Sequence, residues 1–299
     1  MSKKTIQYLA FSLASFVSYG QKMFSTTDVK DLVALEYEIY PGISDVQFNN
    51  KAVNIDFTSI LDQSAIGFGV NYTNRSLDFD DYETYYNFSG FEELHHLEVF
   101  ATYKKALINN WNLDLTFAPY LSSTLNDNIT SEDFILSYSV NFIKSWDKEG
   151  LKSHIKLGAG YGSLFGKPSF YPLISYSSNV NEKLRYEIGF PLSGAFYKIN
   201  TQSTIDFTAQ PESIYAHNTS ALDLYSDNLL YDSKLEFKAL KVSLGYKFQF
   251  DSNWSSYFNV GYLTASELSL EHNDHTIYDF DSNGSLSLNI GISLNINNK

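Results

Sequence analysis

The chain has 299 residues, no cysteine, 23 Tyr, 23 Phe and 6 Pro, and a formal net charge of −13. The lack of cysteine excludes a disulfide framework and a thiolate metal centre. The acidic balance excludes nucleic acid as a partner, since phosphate binding needs a surplus of Lys and Arg, and the Tyr/Phe-rich composition favours strands over helices.

The chain opens with Lys3 and Lys4, followed by a short apolar run from Tyr8 to Val17. Ser18 and Gly20 place small residues at −3 and −1 for cleavage before Gln21. This is the pattern of a secretory signal peptide over 1–20, too short for a membrane helix. The remainder, 21–299, reads as one domain, without a repeat, linker or low-complexity tract to divide it.

From there the dominant signal is period two. Side chains of a strand alternate between its faces, so strict alternation marks one apolar and one polar face. Val33 to Ile39, Val53 to Phe57, Ile66 to Tyr72, Leu97 to Tyr103 and Trp111 to Phe117 alternate in turn. Phe134 to Phe142 and Ile155 to Tyr161 follow, then shorter candidates at 170–178, 184–190, 195–200 and 203–210. Leu240 to Phe250, Trp254 to Thr264 and 284–297 complete fourteen candidates. In the last, Leu286, Leu288, Ile290, Ile292, Leu294 and Ile296 alternate with Ser, Asn and Gly. The apolar phase flips between Phe237 and Leu240, which predicts a bulge near Lys238-Ala239.

A soluble sandwich also alternates. Connection lengths favour a membrane barrel, which joins its strands by short turns at one end and long loops at the other. Asp62-Gln63, 108–110, 179–182, 200–202 and 251–253 are short, whereas 78–94, 211–232 and 268–282 are long. Trp111, Trp146 and Trp254 all lie beside short connections, where an aromatic girdle belongs. The expected fold is all-β: a single up-and-down antiparallel transmembrane β-barrel of about fourteen strands, with twelve as the alternative. The expected place is the bacterial outer membrane, reached by signal-peptide export. Outer-membrane lipid and lipopolysaccharide are the expected partners.

The polar face carries Glu36, Glu38, Asp56, Glu98, Lys104, Asp114, Lys156, Arg185, Glu187, Lys198, Asp206, Lys241 and Lys247, which are expected to face the lumen. They would either line a narrow aqueous passage or form a cross-strand network filling a closed interior. Glycines on the same face (Gly67, Gly69, Gly158, Gly160, Gly245, Gly261, Gly291) are expected to ease packing and curvature rather than to admit solute.

Segments 78–94, 209–233 and 265–283 hold 15 acids and no Lys or Arg. Asp80, Asp81, Asp279 and Asp281 are candidate ligands for a loop-bound divalent cation or elements of an electrostatic filter; solvated charge is the plainer reading. Asp279-Phe-Asp281-Ser-Asn283-Gly284 copies half a calcium loop, but position twelve would be Ile290, so an EF-hand fails. No dedicated metal site or cofactor is expected. Neither G-x-S-x-G nor H-E-x-x-H occurs. An enzyme is not expected; His96 is the weak suspect for a catalytic residue.

His96-Leu-Glu-Val-Phe-Ala-Thr-Tyr-Lys-Lys-Ala-Leu107, Phe165-Gly-Lys-Pro-Ser-Phe-Tyr-Pro-Leu-Ile-Ser-Tyr176 and Tyr186-Glu-Ile-Gly-Phe-Pro191 resemble an uncharacterised outer-membrane β-barrel family, a domain of unknown function in Gram-negative bacteria. That resemblance implies fold and compartment and carries no activity. The functional expectation is a narrow, porin-like channel for small hydrophilic solutes. The alternatives are a lipid-modifying hydrolase, or a structural or adhesion barrel acting through its acidic outer loops.

Overall fold

In the computed structural model, described for residues 31–43, 45–61, 65–82, 86–224, 229–280 and 283–296, fourteen antiparallel strands close into one ring. The signal segment lies outside the described residues. The strands are β1 (Val33–Ile43), β2 (Val46–Asp56), β3 (Ile66–Asp78), β4 (Glu93–Ala106) and β5 (Trp111–Phe117, continued in Tyr120–Ser123). Then come β6 (Phe134–Ile135, continued in Tyr138–Lys148), β7 (Leu151–Gly162), β8 (Ser169–Asn179), β9 (Leu184–Phe190) and β10 (Ser193–Lys198). The last are β11 (Ser203–His217), β12 (Lys234–Gln249), β13 (Trp254–His272) and β14 (His275–Phe280, continued in Ser285–Leu294). Each strand pairs with its neighbours in sequence, and β14 closes the ring on β1, from Leu294 opposite Val33 to Leu288 opposite Ile39.

The wall is inside-out relative to a soluble sheet. Leu286, Leu288, Ile290 and Ile292 are 56, 41, 58 and 37% exposed, while Ser287, Asn289 and Ser293 between them are at most 4% exposed. The same reversal recurs in Val140 and Phe142 against Ser139 and Asn141, and in Phe207 against Asp206 and Thr208. A continuous exposed aliphatic band is stable only in hydrocarbon, and among the described residues no helix crosses a membrane. The protein is therefore a transmembrane β-barrel. Replacing Ile290 by arginine is expected to cost about 2–4 kcal/mol, the price at the bilayer midplane, read from unfolding in lipid vesicles; a loss below about 0.5 kcal/mol would contradict this lipid-facing assignment.

One end carries tight turns. Asn109-Asn110 and Glu149-Gly150 both take positive φ at their two central residues (57 and 61°, 56 and 83°), the geometry that suits two-residue hairpins. Trp111, Trp146 and Trp254 stand at this end, the one that faces the periplasm in bacterial barrels. The inner glycines make room for neighbours. A Cβ on Gly69 would lie 2.4 Å from Phe100 Cζ, and one on Gly291 would lie 2.1 Å from the Tyr257 ring.

The outer end differs from expectation in two respects. Segments 211–217 and 268–280, expected as loop, are largely strand: β11 and β12 stay paired up to His217 opposite Lys234, and β13 and β14 pair beyond the wall to a tight turn at Asn273-Asp274. Second, the irregularity expected near Lys238-Ala239 is present in the β12–β13 pairing, but β12 does not carry the extra residue. Its register with β11 runs unbroken from Phe248 to Lys234, and Phe237 and Ala239 point inward just as Lys241 does. The extra residue sits on β13, at Ala265-Ser266 opposite Ala239, with Ala265 at φ 50°. The apolar phase flips because the surroundings change. Within the membrane the outward side meets lipid; above it the outward side meets water and the inward side becomes a core.

Candidate functional site

Above the membrane the ring is not an open mouth. β10 pairs only with Thr204 to Ala209 of β11, so the outer half of β11 leaves that neighbour and carries β12, β13 and β14 with it. His217 comes to lie beside Ser123 of β5, and Thr124 N donates to His217 O at 3.0 Å. Strands from opposite sides of the barrel thus meet, and the extension of β11–β14 crosses the mouth as a cap.

One face of the cap is apolar. Ile214, Leu235, Phe237, Leu268, Leu270 and Phe280 pack against Tyr40, Phe48, Leu77 and Leu94 of β1–β4 and against Phe79, Phe88 and Phe91 of the connection that follows β3. Phe48 and Phe237 meet edge to face at 5.5 Å between centroids. Lower down, Leu164 of the β7–β8 connection packs with Phe100 of β4 and Leu173 of β8.

The other face is polar and meets the connections after β5 and β7. Lys167 Nζ lies 2.7 Å from Asp274 Oδ1 and 3.5 Å from Glu271 Oε2, and its backbone N donates to Glu236 Oε1 at 3.1 Å. Lys234 Nζ bonds Glu132 Oε2 at 2.6 Å and stands over the Tyr215 ring at 5.8 Å. The Lys167–Asp274 hydrogen bond raises the Lys167 ammonium above its ordinary range and holds the Asp274 carboxyl below its own. Lys234 lowers Glu132 in the same way. Glu132, Tyr215, Asp232, Lys234, Glu271, His272, Asn273 and Asp274 line a cleft of about 220 Å³.

Behind Asp232 of this lining sits a buried dyad. His217 Nδ1 is 3.0 Å from Asp133 Oδ1, with the two side chains 2 and 0% exposed. Asp133 is set by a capping box on Thr130, whose backbone N donates to Asp133 Oδ2 at 2.6 Å. Burial pushes the Asp133 carboxyl up, but hydrogen bonds from Ser123, the Thr130 backbone and His217 outweigh it, and the net direction is down. Sequence reasoning missed this dyad. Its two members are 84 residues apart, and only the Thr130-x-x-Asp133 spacing marks one of them.

Most of the thirteen charges of the polar strand face are buried or half-buried, and several are joined in networks. Glu36 accepts from Asn54 and Asn289, Glu98 accepts from Asn71, and Asp56 caps Thr58. Lys241 bonds Glu38, lies 3.8 Å from Glu212 and 5.5 Å from the Tyr40 ring, and Tyr40 donates to Glu38 at 2.7 Å. Arg185 lies 3.6 Å from Glu187 and stacks on Phe196, while Lys247 pairs with Asp31 at 3.2 Å. Asp206 is buried beside Gly245. Lys104 and Asp114, 3.9 Å apart, lie near the periplasmic turns and keep more solvent, while Lys156 and Lys198 are half-buried.

His96 faces inward with its ring 4.6 Å from that of Tyr120, and among the described residues no hydrogen bond joins it to a serine or carboxylate. Of the cation candidates, Asp80 N donates to Asp78 Oδ1 at 3.0 Å, Asp81 lies in the turn after it, Asp279 stands opposite Ser269 in the ladder, and Asp281 lies outside the described residues. Among the described residues no three His, Asp or Glu side chains converge as a metal site would require.

Fold and wall chemistry define an outer-membrane β-barrel. Residues 40–298 match the family described as "Domain of unknown function (DUF6268)", and the chain belongs to it. No curated protein matches the chain. Among solved structures it is similar to the translocator domain of autotransporter NalP from Neisseria meningitidis, at 10% identity and TM-score 0.41, covering 91% of each chain. It is also similar to the NanC porin, at 11% identity and TM-score 0.40, covering 88% of this chain and 100% of that one. A third similar structure is the KdgM porin, at 10% identity and TM-score 0.38, covering 89% and 99%.

Proposed function

We propose that this protein is a non-conducting outer-membrane barrel whose wall serves as an anchor and whose outer cap is its working surface. The observation that carries this reading is the cap itself, a sheet that crosses the mouth with an apolar core on one side. Twenty buried residues form that core. At about 1.5 kcal/mol each, exposing half of them would cost on the order of 15 kcal/mol. Exposed ion pairs at the rim offer only about 1 kcal/mol apiece as a trigger. The interior below supports the same reading. Glu98, Glu187 and Lys241 are 1, 3 and 7% exposed, which supports charges that fill space over charges that border an aqueous passage. The porin-like channel expected from the charged lumen face is therefore the weaker reading.

Folded protein inserted into planar bilayers is expected to give no conductance steps at neutral pH. Reproducible ohmic steps, abolished by heat unfolding before insertion, would overturn the proposal and return the lumen to a channel.

A further inference from the structure

We propose that the wall holds an anionic phospholipid of the periplasmic leaflet at one sector, the outward face of β4, β5 and β6 beside the short turns. The inference concerns the wall and does not depend on what the cap does.

Strand alternation sets the sector. On β6, Lys144, Trp146 and Lys148 share the outward face with Val140 and Phe142; on β4, Lys105 shares it with Val99 and Tyr103. Trp111 opens β5 between them and stands opposite Lys144 in the ladder. Lys144 Nζ lies 5.6 Å from the centroid of the Trp111 ring, and Trp146 stacks on Tyr176 of β8 at 6.1 Å. Tryptophan rings of a barrel sit at the level of the lipid head groups. The Trp111 ring therefore holds an ammonium at the depth where phosphates lie.

Charge pairing is the second observation. Inward lysines of the wall have carboxylates: Lys104 lies 3.9 Å from Asp114, Lys247 lies 3.2 Å from Asp31, and Lys241 bonds Glu38. Lys105, Lys144 and Lys148 are exposed, and among the described residues no ion pair joins any of them to a carboxylate. The acids of the same hairpin do not neutralise them. Asp147 alternates to the other face, across from Lys152, and its Oδ1 accepts from Gly150 N at 2.8 Å, while Glu149 sits in the turn itself. The three outward ammonium groups are thus left for a partner outside the protein.

Depth and charge fix what that partner is. Lys144 and Lys148 are four residues apart, roughly 13 Å along the strand, with Trp146 between them. A phosphodiester reaches both ammonium groups there, and its acyl chains run down the wall over Phe142 and Val140. Lipopolysaccharide belongs to the other leaflet, beside outer segments that are rich in acids and hold no Lys or Arg.

Full-length folded protein in a neutral detergent would be titrated with dioleoyl phosphatidylglycerol and, separately, with the zwitterionic dioleoyl phosphatidylethanolamine, and bound lipid counted by native mass spectrometry. The first phosphatidylglycerol is expected to bind at least tenfold tighter than the first phosphatidylethanolamine. Lys144→Gln should weaken it about fivefold, the worth of one lysine at a membrane surface, and Lys144→Arg should restore it. The triple variant Lys105→Gln, Lys144→Gln, Lys148→Gln should bind the two lipids alike. Lys51→Gln, which removes an exposed lysine of β2 outside the sector, should leave the preference intact. Heat-modifiable gel mobility confirms that each variant is folded. Equal binding of the two lipids by the wild-type protein, a preference that survives in the triple variant, or an equal loss in Lys51→Gln overturns the inference. Conductance steps would sink the non-conducting reading and leave this one standing.

Discussion

Replacing Phe237 by alanine is expected to unfold the outer cap while the membrane wall stays folded. Phe237 is 1% exposed, lies on the apolar face of the cap and packs edge to face on Phe48 of the facing wall. Truncating such a ring leaves a cavity and costs about 3–5 kcal/mol. That loss falls on the cap, because the strands below are held by their own ladder and by lipid, and such units open separately. Limited proteolysis should then cut within 86–94 and 218–224 faster than in the wild-type protein, whose folded cap is expected to protect them. Heat-modifiable mobility of the barrel should persist. If the loops remain protected, the apolar face does not hold the cap down.

Replacing Lys241 by alanine should be as costly, by a different route. Lys241 is 7% exposed and neutralises Glu38 and Glu212, with the Tyr40 hydroxyl donating to the same Glu38. Removing the ammonium leaves the two carboxylates with the neighbouring Arg75 guanidinium as their remaining counter-charge, at a cost of about 3–5 kcal/mol. The double variant Glu38→Gln, Lys241→Met should recover much of that, since it removes the uncompensated charge together with its partner. Guanidinium unfolding in vesicles measures both. A loss below about 1 kcal/mol for Lys241→Ala would mean that the interior admits enough water to solvate the carboxylates, and would favour a wet lumen over a filled one.

The wall was legible residue by residue. The alternation in β14 is visible because a strand in a bilayer meets one uniform solvent on each side, and period two then reports the environment directly. Legibility failed where that uniformity ends. In β12, Phe237 and Leu240 look out of phase, yet Phe237 faces the interior and Leu240 the lipid, in one unbroken register. The same change of surroundings made Leu268 and Leu270 of β13 look like loop. The charged face was legible as a set of positions, but not as partners. That Lys241 meets Glu38 across 203 residues, or that His217 meets Asp133 and not a serine, depends on which strands the closed ring brings together.

The amino-acid sequence by itself determined the outward aliphatic band, the polar inward face and the end at which the short turns lie, and narrowed the strand number to fourteen or twelve, because each of these follows from local alternation and turn chemistry. Only the tertiary structure decided that the extension of β11–β14 crosses to β5, which inward charges pair with which, and that Glu132, Asp232, Glu271 and Asp274 line one cleft. The physical reason is range. Alternation is written between neighbours, whereas a cap is made when β11 outruns β10 and meets β5 on the far side of the ring.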